Sequence, residues 1–228
     1  MLEYIRNEWE NVKSSYEKLG DLESVKGGWE SEGEIKIIDS ERVLWKTFSV
    51  KIYIPFNYPK TLPSISETGN AIPKEEDWHV NHDGSCCVGP NTKIYRKLNH
   101  NITLKRWLDI VVLPYLFDQV HKLENGFYIG KEHSHGKNGL VNDYKEWWQL
   151  DSDNEVINKL ELITKKIKYP RNSPCFCGSN NKYKRCHLFA KTFSNIPIEI
   201  FKDDLTMILS ESATIRITNR FKAPRAQA

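Results

Sequence analysis

The clearest pattern in the chain is an alternation of apolar and polar residues over residues 43–54. The apolar residues that recur at every second position are Phe48, Val50, Ile52 and Ile54. A period of two places these side chains on one face of a β-strand, so the pattern predicts a half-buried strand. Shorter strands are predicted at 34–38 and 64–68, and the three strands together indicate an antiparallel meander.

Apolar residues at steps of three and four predict two amphipathic helices. The first covers residues 2–19 and ends at Gly20. The second begins at Leu104, and Pro114 within it predicts a kink or a break, because proline has no N–H to donate to the helix. The prolines of residues 55–63 exclude a central strand there. Helices and strands in this order predict an α+β protein.

The C-terminal part of the chain is predicted to be mainly helical at first and mixed afterwards. Helices are predicted at about 140–150 and 154–168. Strand-like segments follow at 198–201 and 214–218, with a short helix between them. Residues 222–228 are polar, and we expect them to be disordered.

Composition narrows the class of protein further. A chain of 228 residues with 39% hydrophobic content suits one medium domain with a sizeable core and a small appendage. The formal net charge of +3 is too small to imply a nucleic-acid partner. The sequence shows neither a signal peptide nor a membrane-spanning run. Five cysteines, an odd number, do not resemble a disulfide framework, so we expect a reducing cytoplasm.

Two adjacent cysteines follow a polar turn near the middle of the chain. Residues 79–88 read His-Val-Asn-His-Asp-Gly-Ser-Cys-Cys-Val, so Cys87 comes soon after an Asp-Gly turn, with His79 and Asn81 upstream. A thiolate is a strong nucleophile and a fair leaving group, which suits acyl transfer. The alternative is a buried and inert core cysteine, and the polar setting of Cys87 argues against it.

Residues 58–63, which read Tyr-Pro-Lys-Thr-Leu-Pro, and residues 79–87 together resemble the core of ubiquitin-conjugating enzymes. The resemblance covers roughly residues 1–123. It implies their fold, with an N-terminal helix, an antiparallel β-meander, an active-site loop and C-terminal helices. It also implies an enzyme that holds an acyl group as a thioester on Cys87 and transfers it to an amine. By the same resemblance Asn81 stabilises the oxyanion and His79 holds the turn.

Several alternatives stay open at this point. Val80 replaces the proline of the family, and the spacing from His79 to Cys87 is shorter than usual, so His82 is a rival to Asn81 as the assisting group. Cys86 is either a second thiol or an apolar spacer, and we favour the spacer because adjacent residues of an extended segment face opposite ways. The function alternatives are a thiol hydrolase that removes such conjugates, with His79 or His82 as its base, and a non-catalytic docking module.

A second set of cysteines near the C-terminus has the spacing of a metal site. The pattern is Cys-x-Cys, eight residues, then Cys-His, and four such nitrogen and sulfur ligands suit a closed tetrahedral zinc site. The flanking residues resemble the SEC-C motif, which includes Arg-Asn-x-Pro-Cys-x-Cys-Gly-Ser. The resemblance implies a structural zinc bound by Cys175, Cys177, Cys186 and His187.

The predicted domain organisation follows from these motifs. Residues 1–150 form the conjugating-enzyme-like catalytic domain, 151–169 a helical linker, 170–190 the SEC-C zinc module, and 191–228 a strand and helix extension with a tail.

One further segment suggests a biological setting. Residues 132–136, followed by Gly139-Leu140 and Asp143-Tyr144, resemble bacterial conjugating-enzyme relatives encoded beside a cyclic-oligonucleotide synthase in antiphage (CBASS) operons. The resemblance implies antiviral defence, with the C-terminus of a cGAS-like nucleotidyltransferase as the conjugated group and other proteins as targets. Neither a membrane nor a nucleic acid is expected as a partner.

Overall fold

The computed structural model describes residues 2–39, 41–129, 136–166, 170–175, 179–186 and 196–220. The chain folds as two compact units, Met1–Glu132 and His133–Ala228. The protein is α+β, as the sequence predicts: the first unit holds helices and a four-stranded antiparallel sheet, and the described part of the second is mainly helical.

The first unit begins with a helix, continues through the sheet, and ends in helices. Its first half comprises α1 (Leu2–Lys13), β1 (Glu23–Val25), β2 (Gly28–Ile38), β3 (Leu44–Pro55) and β4 (Ser64–Glu67). Its second half comprises a 3₁₀ turn (Glu76–Trp78), α2 (Asn91–Leu98), α3 (Leu104–Trp107), a π-helical turn (Leu108–Val112) and α4 (Leu113–Asn125).

The sheet is a meander in which the strands neighbour one another in chain order. Its register pairs Ile35 with Phe48 and Ile52 with Ile65 across antiparallel neighbours. The alternation predicted for β3 is confirmed, because its four apolar side chains are at most 1% exposed: Phe48, Val50, Ile52 and Ile54. Strand β2 begins earlier than predicted, and β1 and α2 were not predicted.

Helix α1 is confirmed as an amphipathic helix, although it ends at Lys13 rather than near Leu19. Its residue Glu8 faces the rest of the unit: Oε2 accepts from the Leu104 backbone N–H at 2.7 Å and from the Tyr58 hydroxyl at 3.2 Å. The Glu8 carboxylate therefore connects the first helix to the start of α3 and to residues 55–63, which we call the proline-rich segment.

The long helical segment after residue 103 is interrupted where the sequence predicts a break. Thr103 caps α3, and the Leu113 N–H donates to the Leu108 carbonyl, five residues back, in a π-helical turn. Pro114 follows at once, at the start of α4, and has no N–H for the carbonyl of Ile110. The missing bond explains why the wider turn lies there.

The second unit contains α5 (Gly136–Trp148), α6 (Asp153–Thr164), a 3₁₀ turn (Tyr183–Arg185) and α7 (Ile198–Arg220). A capping box between Ser152 and Glu155 begins α6. The Tyr144 hydroxyl of α5 donates to the Asp204 carboxylate of α7 at 2.6 Å. No helix in the described ranges is long and apolar enough to cross a membrane.

The strands predicted at 198–201 and 214–218 are wrong, because both segments lie in α7. A short alternation such as Ile-Glu-Ile-Phe also fits a helix whose apolar residues face its neighbours, and Ile200, Phe201 and Ile208 are buried in that way. The boundary between the two units lies between Glu132 and His133, before α5, whereas the boundaries predicted at 150, 169 and 190 stay predictions. Residues 222–228, predicted to be disordered, lie outside the described residues.

Candidate active site

Residues 79–87 form a small hairpin beside β4. The Cys87 N–H donates to the His79 carbonyl at 2.7 Å, and Val80 pairs with Cys86 in an antiparallel bridge. At the closed end, the Asn81 N–H donates to the Ser85 carbonyl at 2.8 Å. The Cys86 N–H donates to the Ile65 carbonyl at 2.7 Å, so the second hairpin strand continues the sheet at the β4 edge.

The hairpin closes through a three-residue loop whose residues are His82, Asp83 and Gly84. The Gly84 N–H donates to the Asn81 carbonyl at 2.9 Å, and Gly84 has a left-handed φ of +83°. This combination is a tight turn followed by a glycine bulge, a common hairpin connection. It places His82 at the exposed tip of the loop, beyond the pair formed by Asn81 and Ser85.

The two faces of the hairpin differ in chemistry. Val80 and Cys86 are buried, with 9% and 6% of their surface exposed, so the pair that they form faces the core. Because successive residues of a strand alternate in direction, Asn81, Ser85 and Cys87 lie on the opposite, outer face. Cys87 is half-buried there, while Cys86 takes the core-facing position expected of a spacer.

Polar side chains on the outer face are joined by hydrogen bonds. The Asn81 side-chain amide donates to the Ser85 hydroxyl at 3.0 Å, and that hydroxyl donates to the Asp83 carboxylate at 2.6 Å. The Ser85 hydroxyl, and then its backbone N–H, hold the pKa of Asp83 below its usual range. The Asp83 carboxylate is therefore held in its charged form and the Asn81 amide is oriented, and both residues shortly precede Cys87 in the sequence.

The two adjacent thiols have different surroundings. Burial raises the pKa of the Cys86 thiol to about 11, although a hydrogen bond with the Tyr115 hydroxyl opposes part of that shift. Burial likewise raises the pKa of Tyr115 above its ordinary value. Since the thiolate is the reactive form, Cys86 is a poor nucleophile at neutral pH.

The proline-rich segment is fixed from two sides. The Tyr58 hydroxyl donates to the Glu8 carboxylate and to the Ile102 carbonyl at 3.3 Å. The Tyr95 hydroxyl of α2 lies 2.8 Å from the carbonyl oxygens of both Pro59 and Lys60. Residues 56–63 therefore have a defined conformation between β3 and β4 and form no strand, as the prolines predict, whereas Pro55 is the last residue of β3.

Sequence reasoning missed one set of residues at this site. Tyr115, Gln119 and Lys122 of α4 each donate a side-chain hydrogen bond to the backbone of residues 77–79, which leads into the hairpin and includes its first residue. Their spacing of four and three residues places them on one helical stripe, which the sequence shows. Their partners are backbone carbonyls, however, and no residue type in the sequence marks a backbone acceptor.

The predicted zinc ligands are only partly within the described residues. Cys175 is buried and Cys186 is half-buried, whereas Cys177 and His187 lie outside the described ranges. Pro174 pairs with Lys182, the Cys175 N–H donates to the Asn181 carbonyl at 2.8 Å, and the Ser179 hydroxyl lies 3.3 Å from the Cys186 sulfur.

Two thiols in a tight loop suit a structural zinc. The described residues contain no group of three or more His, Cys, Asp or Glu side chains that could hold a metal, and half of the predicted set is not among them. His133 and His135, in the segment that resembles the antiphage relatives, also lie outside the described residues.

Comparison with known proteins identifies the C-terminal motif. Residues 171–189 match the SEC-C motif family. The chain is 40% identical over 38 residues to protein translocase subunit SecA of Borrelia garinii subsp. bavariensis, and 39% identical over 36 residues to that of Borreliella afzelii. These matches cover 17% and 16% of the chain, which spans only 4% of each of these curated relatives. No solved structure matches the chain.

Proposed function

We propose that this protein is a ubiquitin-conjugating-like enzyme that carries a protein C-terminus as a thioester on Cys87 and transfers it to an amine of a target. The observation that carries the proposal is the hairpin. It turns one of two adjacent thiols toward the outer face, the face that also carries the Asn81 amide, and buries the other. The order of helix, meander, proline-rich segment and thiol hairpin supports the same assignment by its resemblance to that family.

The proposed reaction is aminolysis of the thioester. The amine nitrogen attacks the carbonyl carbon on the Cys87 sulfur, a tetrahedral oxyanion forms, and the C–S bond then breaks to release the thiolate while the amine loses a proton to solvent. The Asn81 amide nitrogen has two hydrogens, of which one bonds to Ser85, so the second remains for the oxyanion. Asn81 is better placed than His82, because its partner Ser85 shares a face with Cys87, whereas His82 lies at the loop tip.

His79 has a structural role in this proposal. Its carbonyl accepts from the Cys87 N–H, and its ring packs against Tyr128 with centroids 5.0 Å apart. The backbone bond holds the first hairpin strand against the strand that carries the thiol, the ring contact fixes the His79 side chain against Tyr128, and neither requires proton transfer by the imidazole.

The SEC-C module would hold a structural zinc through Cys175, Cys177, Cys186 and His187. A full set of four protein ligands leaves no open position for water, so the metal would stabilise the C-terminal loop and take no part in the transfer. The match to the SEC-C motif supports this assignment.

The proposed partners follow from the resemblance to antiphage relatives. The conjugated group is the C-terminus of a cGAS-like nucleotidyltransferase, the targets are cytoplasmic proteins, and the biological role is antiphage defence. An activating enzyme, or another loading route, would supply the thioester.

The decisive experiment is intact mass spectrometry of the protein purified from its native host, with and without a thiol reductant. Wild type is compared with Cys87→Ala and Cys87→Ser, and with Cys86→Ala as the matched control, because Cys86 is adjacent but buried. We expect a reductant-sensitive adduct on wild type and on Cys86→Ala, none on Cys87→Ala, and a reductant-resistant ester on Cys87→Ser. The adduct mass identifies the conjugated protein.

Other outcomes point to the alternatives. No adduct on any variant, even with the candidate nucleotidyltransferase co-expressed, rejects the carrier. If Cys87→Ala then causes conjugates to accumulate on cellular proteins, the protein is a thiol hydrolase. If Cys87→Ala instead preserves phage protection in the host, the protein is a docking module.

A further inference from the structure

Three side chains of α4 contact three consecutive backbone carbonyls that lead into the hairpin. The Lys122 ammonium donates to the Asp77 carbonyl at 2.6 Å, and the Gln119 amide donates to the Trp78 carbonyl at 3.3 Å. The Tyr115 hydroxyl donates to the His79 carbonyl at 3.2 Å. One stripe of the helix thus fixes the backbone of three successive residues, and we call Tyr115, Gln119 and Lys122 the α4 stripe.

Lys122, at the C-terminal end of the stripe, is held by several contacts. Lys122 is only 6% exposed, and its ammonium also donates to the Asp77 carboxylate at 2.6 Å. The same ammonium lies 4.7 Å from the Trp78 ring centroid and 4.4 Å from that of Tyr128. A buried lysine is costly unless its charge is compensated, and here a carboxylate, a carbonyl and two aromatic rings compensate it.

Tyr115, at the near end of the stripe, contacts both His79 and Cys86, the residue next to the proposed nucleophile. The His79 carbonyl that accepts from Tyr115 also accepts from the Cys87 N–H at 2.7 Å. His79 has a φ of +50°, a left-handed conformation that is uncommon for a residue with a side chain and persists only where its surroundings impose it. Two donors, the Tyr115 hydroxyl and the Cys87 N–H, converge on the carbonyl of this residue.

We propose that the α4 stripe is a set of positioning residues that fixes the Cys87 thioester relative to Asn81. The proposal rests on the transfer function proposed above. None of the three side chains needs to touch the reacting atoms: they hold the backbone of residues 77–79, and that backbone orients Cys87. Because misplacement of reacting groups by about 1 Å can cost about 100-fold in rate, loss of one stripe contact affects transfer more than stability.

The test uses a chemical acyl donor, so it does not depend on the natural one. Cys87 is acetylated with 4-nitrophenyl acetate in the full-length protein, and discharge of the acetyl group to L-lysine is followed by mass spectrometry of the Cys87 peptide. Tyr115→Phe removes only the hydroxyl, and Gln119→Met is a second variant of similar size. Tyr16→Phe is the matched control, because the Tyr16 hydroxyl bonds to Asp109 at 2.7 Å, away from the hairpin.

We expect Tyr115→Phe and Gln119→Met each to slow discharge by about 10-fold, within the range known for positioning groups. Alkylation of the free Cys87 thiol by iodoacetamide should be unchanged, because that reaction needs no oriented amide. Cys86 should stay unreactive in both variants. Gln119→Met is the one in which this reports folding alone, because Gln119 bonds to Trp78 and Tyr128, whereas the Tyr115 hydroxyl itself bonds to Cys86. Tyr16→Phe should match wild type in all three measurements.

Three results would overturn the inference, and they are distinguishable from one another. If wild type discharges faster than urea-unfolded protein but both stripe variants match wild type, the stripe does not position the thioester. If the variants slow discharge only while Cys86 becomes reactive, the role of the stripe is folding alone. If wild type discharges no faster than unfolded protein, the proposed function itself fails.

Discussion

The two adjacent cysteines allow a sharp test of the hairpin. Native protein is treated with iodoacetamide at pH 8, and modification of Cys86 and Cys87 is measured separately. Successive strand residues face opposite sides, so the structure predicts that Cys87 reacts and that Cys86, which is 6% exposed, is protected.

The magnitude of the protection follows from the pKa of Cys86. Burial raises this pKa from 9.0 to about 11. At pH 8 the thiolate fraction falls from about 10% to about 0.1%, a decrease of about 100-fold in the reactive form. Restricted access slows the reaction further, so native Cys86 should react at least about 100-fold more slowly than Cys86 in the unfolded chain.

The pH dependence has a defined sign. The folded pKa lies above the unfolded one, so the native Cys86 rate should keep rising between pH 9 and pH 11, where the rate in urea has levelled off. The corresponding contribution to stability is fully present below pH 9 and is lost as the pH rises through 11.

The assay is peptide mass spectrometry over a time course, and the same protein in urea supplies the reference rate for each thiol. Cys87→Ala is the control that removes competition between neighbouring sites. Native modification of Cys86 within 10-fold of its urea rate, or faster than that of Cys87, would falsify the assignment of faces to the hairpin.

Three further predictions concern the turn, the first helix and the metal. Gly84→Ala should cost about 1–2 kcal/mol in urea unfolding, because its φ of +83° strains any residue with a side chain even though the space around the site is open. Gly126→Ala, at a glycine with the same φ, should cost as much but leave Cys87 reactivity unchanged. Equal Cys87 reactivity in the two variants would contradict the role of the Gly84 turn. Glu8→Ala should cost about 1–3 kcal/mol in the same assay because it leaves the buried Leu104 N–H without its acceptor; an unchanged midpoint contradicts this. Denatured protein should release one zinc per chain to a colorimetric chelator, and Cys175→Ser should release none; a metal-free wild type rejects the site.

The sequence predicted the elements that depend on local pattern. The period-two apolar run of β3 and the helical stripe of α1 are confirmed because burial of one face leaves a direct mark on residue choice. Pro114 correctly predicted an interruption because a missing N–H acts at its own position. By contrast, α2 (Asn91–Leu98) is short, and its two turns are too few for a clear period.

The candidate site was predicted only in part. The sequence indicated a thiol after a turn, and Cys87, Asn81 and His79 do lie in one hairpin. It also favoured Cys86 as a core-facing spacer, and the burial of Cys86 confirms that prediction. It did not show that α4 supports the hairpin, because that support depends on contacts between segments far apart in the chain, and a backbone carbonyl as acceptor leaves no mark on residue identity. For the same reason the alternation at 198–201 was wrongly interpreted as a strand, since the neighbours of α7 decide whether such a short pattern is buried as a strand or as a helix.

The choice between the two thiols is a matter of register. Cys86 faces inward because its N–H bonds to Ile65 and because it pairs with Val80. Shifting the second hairpin strand by one residue would turn Cys86 outward and bury Cys87. The glycine bulge at Gly84 sets that register, since it fixes which residue closes the loop opposite Asn81. Two adjacent and chemically identical cysteines therefore differ in exposure because the length and conformation of a three-residue turn decide which of them faces outward.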